Sequence, residues 1–543
     1  MRGDGSGSNR LRLGVIIDRD PLFEPWEVRL FETLARLDTV DLAFVVVLPL
    51  AAPTPAESRW LKRFLGWESR LLKTPLRPRY DLSFTSLKDL KPYGPGTRRH
   101  RKADILLNHA RQSLPEDHRF REKEIWGYSV LLPGQSPDAH AIAPVITDAP
   151  FTEVSIGRIG PGGKHTPIAR ARTNTKPVAT YNGAFASDVL PQLLMRELAA
   201  FRLGLAHATP DCADTGRIAA TGGDRNHQDR FAAPLPYAMH MTGRASKAAF
   251  ARARGALDRR ANQWSLMVGR GDPLTNSMGA LVELDQPAGE SRAHPFLFVK
   301  DGVTWVFYQA FGPAHPQGKL HVGRLDGDRL FDVQALNFGP IHAAFPYIFA
   351  HDGEVFIVPE THQRDRVEVW RCLEFPGQWV LHASALEGQA PADSVLFEHG
   401  GAWWLFTSHA SGDMPDYCRE LHVYQASGPD LSELTPHALN PVVMDTTCAR
   451  MGGRPFVRNG TLYRPGQNSS HGLLGFGLSI MAIDTLNLTD YREHRVRSIN
   501  AVRRKGTIGC HHLDVAPGQF IIDARRTTAR RGLGRRPITL HAR

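Results

Sequence analysis

The sequence is poor in cysteine, and the cysteine it has is scattered. Cys212, Cys372, Cys418, Cys448 and Cys510 are odd in number and no two form a CxxC pair, which excludes a disulfide framework and a thiolate metal site; free thiols are expected. No apolar run reaches the roughly 18 residues of a membrane span. The opening "MRGDGSGSNRLRLGVIID" has no hydrophobic leader core, so a cytoplasmic protein is expected. A glycine-rich phosphate fingerprint is missing too: the first strand–helix turn reads "DRDPLFEP", without GxGxxG, and no dinucleotide or other cofactor is expected. Positive charge, by contrast, is in excess at +11, but it is clustered at 98–102, 259–260, 503–505 and in the pairs Arg525-Arg526, Arg530-Arg531 and Arg535-Arg536. None of these clusters interleaves with aromatics as a base-stacking surface would, so no nucleic-acid partner is expected. The end "RRTTARRGLGRRPITLHAR" reads as a solvated, partly disordered tail, the alternative being contact with an anionic membrane surface or a phosphorylated glycan.

What the sequence does have is a repeated phrase. In "HPFLFVKDGVTWVFYQAF" (294–311) two apolar alternations flank Asp301-Gly302, a pair that accepts the positive φ of a tight hairpin turn. The phrase returns in "FPYIFAHDGEVFIVPET" (345–361), "ADSVLFEHGGAWWLFTS" (392–408), "GGRPFVRNGTLYRPGQ" (452–467) and "HHLDVAPGQFIIDARR" (511–526). The turn glycines fall at 302, 353, 401, 460 and 518. That spacing is close to the roughly 40 to 50 residues of a four-stranded propeller blade. Further strand-like runs lie between the copies, at 320–324 and 367–371. Residues 263–530 therefore read as a five-bladed β-propeller. The alternative, a β-sandwich with ordinary hairpins, does not predict a fixed inner phrase recurring five times. "NQWSLMVGR" (262–270) supplies a strand to close the ring against the last blade, removing an exposed edge.

The first third alternates differently. "RLRLGVIID" (10–18) is a buried strand, "PWEVRLFETLARLD" (25–38) an amphipathic helix with Val28, Leu30, Phe31, Leu34 and Leu37 near one face, and "VDLAFVVVLPL" (40–50) a second buried strand. With "ADILLNHA" (103–110) and a late helix at 187–205, this predicts a doubly wound, Rossmann-like α/β domain over 10–205. Residues 206–262 read as a connector, a polar loop and then an Ala-rich run of helix formers up to Trp264; proteolysis is expected first between 206 and 230. Residues 531–543 remain as the basic tail.

The propeller phrases, above all those at 345–361 and 452–467 and the "HHLD" of 511–514, together with "LRLGVIID", resemble the N-terminal module of glucosamine inositolphosphorylceramide transferases. In that family a formyltransferase-like α/β domain can precede a propeller similar to glycoside hydrolases of the arabinanase and levansucrase type. The resemblance spans nearly the whole chain and is stronger in the propeller. No counterpart of the glycosyltransferase domain of the plant proteins is read here, so their activity does not carry over by name.

Sugar cleavage or transfer needs two carboxyl groups about 5 to 9.5 Å apart. The starts of the inner strands converge on the propeller axis at His294, Phe345, Asp393, Arg454, and His512 with Asp514. The resemblance implies a base or nucleophile Asp in blade one and an acid Glu in blade four, where this chain has His294 and Arg454; only Asp393 fits, as the residue that orients substrate or tunes the acid. The candidate catalytic residues are therefore Glu360 and Asp393 as the carboxyl pair and His511 or, preferred, His512 as proton shuttle. Arg454 is the candidate holder of an anionic group, with His294 and Asp514 beside the substrate. Structural roles stand against each: a turn cap for Glu360, backbone amides for Asp393, an internal ion pair for Arg454. The His pair lacks a matching carboxylate spacing, so no metal is expected. Folate-dependent formyl transfer would need an Asn, His and Asp set in the α/β domain; Asn108-His109 lacks the Asn-x-His spacing, and Asp18 equally caps a helix. The expected function is a carbohydrate-active enzyme acting on a cell-envelope glycan or glycolipid precursor, with a non-catalytic glycan-binding protein and formyl transfer to an amino sugar as the alternatives.

Overall fold

The computed structural model describes residues 10–49, 59–72, 79–93, 103–110, 124–131, 137–160, 163–205, 236–244, 246, 260–279, 281–313, 315–501, 507–529 and 540–542. They form two compact units, the first ending within 236–243 and the second taking up from 244.

In the first unit, β1 (Leu11–Asp18), α1 (Pro25–Arg36), β2 (Val40–Leu48), α2 (Arg59–Leu72), β3 (Pro92–Tyr93), β4 (Ile105–Asn108), β5 (Glu124–Tyr128), α3 (Pro137–Ile146), β6 (Phe151–Ile159), β7 (His165–Asn174), α4 (Ala179–Ser187) and α5 (Leu190–Leu203) follow in order. The sheet runs β3-β2-β1-β4-β5-β6-β7, parallel through β5 and antiparallel thereafter. The β1 run is buried at Leu13, Val15, Ile16 and Ile17, on both faces of the pleat, as a strand covered on both sides requires. Helix α1 starts at Pro25, whose ring presets the first helical φ, and buries Trp26, Leu30, Phe31 and Leu34; Val28 and Leu37 keep part of their surface.

The second unit is a five-bladed β-propeller, as the repeated phrase predicts. Its opening strands β8 (Arg260–Arg270) and β9 (Val282–Glu283) precede three four-stranded blades. Blade one is β10–β13 (Ser291–Lys300, Val303–Gly312, His315–Asp326, Arg329–Ala335) and blade two is β14–β17 (Ala344–His351, Glu354–Glu360, Val367–Glu374, Gln378–Ala385). Blade three is β18–β21 (Ala392–His399, Ala402–Ser408, His422–Ala426, Leu434–Pro436). Blade four is β22–β25 (Phe456–Arg458, Thr461–Asn468, Gly477–Leu486, Tyr491–Ala501), and β26 (Thr507–Gly509), β27 (Leu513–Ala516) and β28 (Gln519–Ala529) belong to blade five. Four of the five inner hairpins turn on two residues with positive φ, for example Asp301 at 51° and Gly302 at 75°, which matches the twist of the flanking strands. The fifth, Pro517-Gly518, puts a positive φ only at glycine.

The ring closes as expected: β8 pairs antiparallel with β28 from Arg260↔Ala529 to Arg270↔Gln519. Two local expectations are corrected by the same pairing. The Ala-rich run, expected to be helical to Trp264, is strand from Arg260 on, because the ladder with β28 outweighs intrinsic propensity. Arg525 and Arg526, read as the start of a solvated tail, lie on β28, with Arg526 ion-paired to Glu283 at 2.7 Å. Near the end of the chain β29 (Leu540–Ala542) pairs with β25 and gives blade four a fifth strand. The connector at 206–235, the expected proteolysis site within it, Cys212 and the basic clusters at 98–102, 503–505 and 530–536 lie outside the described residues. Among the described residues no helix is long and apolar enough to cross a membrane, and Cys372, Cys418, Cys448 and Cys510 are free thiols.

Candidate functional site at the propeller axis

Three successive inner strands begin with one device. In Ala293-His294-Pro295-Phe296, Ala344-Phe345-Pro346-Tyr347 and Ala392-Asp393-Ser394-Val395 the register slips by one residue, a β-bulge, and the second residue takes a positive φ of 51°, 45° and 48°. A left-handed backbone is costly for a phenylalanine or a histidine, and a bulge re-aims the side chain it carries. Here it brings the blade-one, blade-two and blade-three residues together around the axis: the His294 and Phe345 rings lie edge to face at 5.8 Å.

Asp393 is fully buried and forms the centre of a charged cluster. Arg450 Nε donates to Asp393 Oδ2 at 2.6 Å and its Nη2 to Glu360 Oε2 at 3.3 Å. Gln467 Nε2 also donates to Asp393 Oδ2, at 2.6 Å, and the Asp393 backbone N–H to Glu360 Oε2 at 3.3 Å. Asp393 Oδ1 is buried and has no hydrogen-bond partner. Burial drives the Asp393 carboxyl well above the usual carboxylate range in spite of the Arg450 charge, and contact with the Glu360 carboxyl adds to the rise. One guanidinium thus faces two carboxyl groups, and the cluster is neutral when they share one proton, held on the more deeply buried Asp393.

Glu360 is the last residue of β15, opposite Ala344 and so beside the blade-two bulge. The expected pair, Glu360 and Asp393, therefore meets. The two carboxyls share the Arg450 guanidinium, and Glu360 Oε2 also accepts the Asp393 N–H at 3.3 Å, so they form one compact pair rather than the two separated groups of a glycosidase.

Next to this cluster lies an imidazole stack. The His294 ring stacks on His511 at 4.5 Å and His511 on Trp264 at 4.1 Å. His294 keeps some surface, yet its ring sits deep enough for burial to push its pKa down to about 3, with the neighbouring His511 lowering it further. Asp523 accepts the backbone N–H groups of His294, His511 and His512 at 3.1, 2.9 and 3.0 Å. Its Oδ2 also lies 2.6 Å from His511 Nδ1, an ion-pair contact short of straight hydrogen-bond geometry. Burial alone would raise the Asp523 carboxyl, but His511 beside it holds it below the ordinary range.

His512, the preferred shuttle from sequence, is fully enclosed. Its ring packs against Phe296 at 4.4 Å and Phe345 at 5.2 Å, and neither ring nitrogen has a partner. Burial holds its pKa well below the ordinary value, so it is a neutral core imidazole. Arg454 and Asp514 bind each other: Arg454 Nε donates to Asp514 Oδ1 at 2.9 Å, and the guanidinium also reaches the carbonyls of Ile348 at 2.8 Å and Leu297 at 3.3 Å. Asp514 Oδ2 accepts the Leu297 N–H at 2.7 Å. This staple ties inner strands of four blades together, three residues further along β10 and β14 than His294 and Phe345.

Sequence reasoning passed over Arg450, Gln467 and Asp523. A signal for one of them lay in the repeat itself. A residue at or near the end of each second strand is polar, with Gln309, Glu360 and Ser408 opposite the bulge alanines of blades one to three and Gln467 next to the end of β23. Arg450 and Asp523 had no such signal.

In the first unit, His109 Nδ1 is 3.0 Å from Glu27 Oε1 and Asn108 Oδ1 accepts the Ala110 N–H at 3.0 Å, both in buried surroundings.

Residues 273–519 match the protein family described as glucosamine inositolphosphorylceramide transferase 1, N-terminal. The chain is 29% identical over 251 residues to glucosamine inositolphosphorylceramide transferase 1 of Arabidopsis thaliana, covering 44% of this chain and 32% of that protein. It is 28% identical over 231 residues to the protein of that name from Oryza sativa subsp. japonica, covering 41% and 31%. The chain thus spans about a third of the length of these relatives. Among solved structures, a family 117 glycoside hydrolase of Zobellia galactanivorans has a TM-score of 0.32 at 13% identity, over 51% of this chain and 96% of that one. An alpha-L-arabinofuranosidase from Lactobacillus brevis has a TM-score of 0.33 at 13% identity, over 48% and 92%.

Proposed function

We propose that the propeller is a carbohydrate-active module, acting at its axis on a cell-envelope glycan or glycolipid precursor by glycosyl transfer or a modified form of glycoside hydrolysis. The observation that carries this reading is Asp393: a buried carboxyl, its burial favouring the protonated form, with one oxygen fixed by Arg450 and Gln467 and the other unpartnered. A protonated carboxyl with a free oxygen is a proton donor for a leaving glycosidic oxygen, and Glu360 beside it holds the balancing negative charge against the developing positive charge of the sugar. The name of the matched relatives, glucosamine inositolphosphorylceramide transferase 1, supports a glycolipid as the substrate class.

The test is turnover of a panel of aryl glycosides and sugar nucleotides, with Glu360→Gln as the variant. The amide keeps the shape but cannot share the proton, so turnover should fall by about 10²- to 10⁴-fold, with the melting temperature little changed. Full turnover by Glu360→Gln removes the dyad from the chemistry. A second reading, a glycan-binding protein without turnover, is favoured by His294, a neutral imidazole where hydrolases of the resembling type carry a carboxylate; binding of glycans by both proteins with turnover by neither would establish it. For the first unit a formyltransferase-like domain remains a proposal, since the parallel order β3-β2-β1-β4-β5 does not distinguish it from other α/β sheets. Formyl transfer there is the weaker reading, because Asn108 and His109 already hold structural partners.

A further inference from the structure

The geometry points to His511 as the second proton-transferring residue of the axial site, with Asp523 as its positioning residue; this rests on the carbohydrate-active reading above. The Glu360–Asp393 dyad shares one proton and sits in a single contact, so it supplies one proton-transfer function. A reaction at a sugar carbon needs another, to take the proton from the incoming hydroxyl.

His511 is built for that task in three respects. Both faces of its ring are covered, by Trp264 at 4.1 Å and His294 at 4.5 Å, so only an edge is presented. Asp523 accepts the His511 backbone N–H at 2.9 Å and its Oδ2 lies 2.6 Å from Nδ1, off straight hydrogen-bond geometry, so the carboxylate stands on the Nδ1 side and Nε2 is assigned as the working nitrogen. Gly475 packs against the same side chain so closely that a Cβ there would stand 2.8 Å from His511 Cβ, so the ring has no room to swing that way. The stack also brings the imidazole towards the dyad: His294, on which His511 stacks at 4.5 Å, lies edge to face with Phe345 at 5.8 Å, and Phe345 follows Ala344, the residue opposite Glu360. His294 has no carboxylate on its ring nitrogens, its Nδ1 being buried and unpartnered, and His512 is enclosed by aromatic rings.

The step balances. The acceptor, water or a sugar hydroxyl, gives its proton to His511 Nε2 as its oxygen bonds to the anomeric carbon. The bond from that carbon to the leaving oxygen breaks, and the leaving oxygen takes the proton held by Asp393. Transfer from the imidazolium to the dyad through solvent restores the starting state. The charged and titratable groups that face the ring are Asp523 and His294, with Glu360 and Arg450 behind His294; His512 lies close by but stays neutral.

The experiment uses the full chain and the aryl glycoside and sugar-nucleotide panel. His511→Gln should lower kcat by about 10²- to 10⁴-fold with little change in KM, and remove one limb of the pH–rate profile. Asp523→Asn should lower kcat and shift that limb, whereas His512→Gln should leave the profile in place. Diethyl pyrocarbonate labelling followed by peptide mass spectrometry should carbethoxylate His511 and spare His512. Wild-type turnover with kcat and pH profile unchanged in His511→Gln overturns this assignment and leaves the Glu360–Asp393 reading intact, as does labelling of His512 with His511 untouched. Absence of wild-type turnover across the panel sinks the catalytic reading and this assignment together.

Discussion

Arg450 and Arg454 stand four residues apart at the entry to blade four, and the propeller uses them in opposite ways. Arg454 meets one carboxylate and two carbonyls, so charge and hydrogen bonds balance, and Asp514 is satisfied in return. Arg450 meets two carboxyl groups that must share a proton, and leaves one Asp393 oxygen unpaired. The lesson is that a buried ion pair is a joint when its valences close and a site when they do not.

Breaking the joint should give the largest effect. Arg454→Ala leaves Asp514 buried without its counter-charge, and a loss of about 3 to 5 kcal/mol is expected in urea unfolding of the propeller. A loss below 1 kcal/mol would end the distinction drawn between the two arginines. Arg450→Gln should cost the fold less, because the dyad can take up a second proton in place of the lost cation, while turnover or glycan affinity falls by at least about tenfold. Paired melts and kinetics on the two variants test whether the two losses separate.

Acid should act on the imidazoles. Burial pushes His294 down to about 3 and His409 and His437 to about 4. A histidine with a lowered folded pKa binds its proton more readily when unfolded. The stability it contributes is complete above the unfolded value near 6.5 and is lost as pH falls from there towards 4 and 3. Melting temperatures should therefore decline from pH 7 to pH 4, and His409→Gln should flatten part of that slope. The smallest effect is local: Gly302→Ala puts a Cβ at a φ of 75° in the blade-one turn, and about 1 kcal/mol of destabilisation is expected, without effect on the axis.

How much of this was legible depended on the range of the interactions. The hairpins could be read because Asp301-Gly302 and its counterparts fix their turns through their own backbone preferences. Asp393 could be read because it recurs in phase with His294 and Phe345. Arg450 could not, since it lies in an irregular stretch and its partners come from blades two and three. Arg525 and Arg526 look like a tail in composition, and the ladders with β26 and with β8, the latter from the other end of the propeller sequence, make them strand. The choice of His511 over its neighbour needed the side chains of Asp523 and Trp264 and the close backbone of Gly475, none adjacent in sequence.

The closing ladder between β8 and β28 also sets an order of events during synthesis. Trp264, which covers one face of His511, leaves the ribosome long before Arg525, its partner across the ladder. At about 5 to 20 residues per second, β8 waits many seconds with an unpaired edge while the four intervening blades emerge. The Asp523 contacts form only once that last hairpin is made, so a nascent chain arrested before residue 519 carries Glu360, Asp393, Arg450, His294 and His511 but lacks the carboxylate that accepts the backbone N–H groups of the two histidines. The axial cluster is thus complete only after β28 has been synthesised, and a chaperone that shields β8 until then would act on the maturation of the site as much as on the fold.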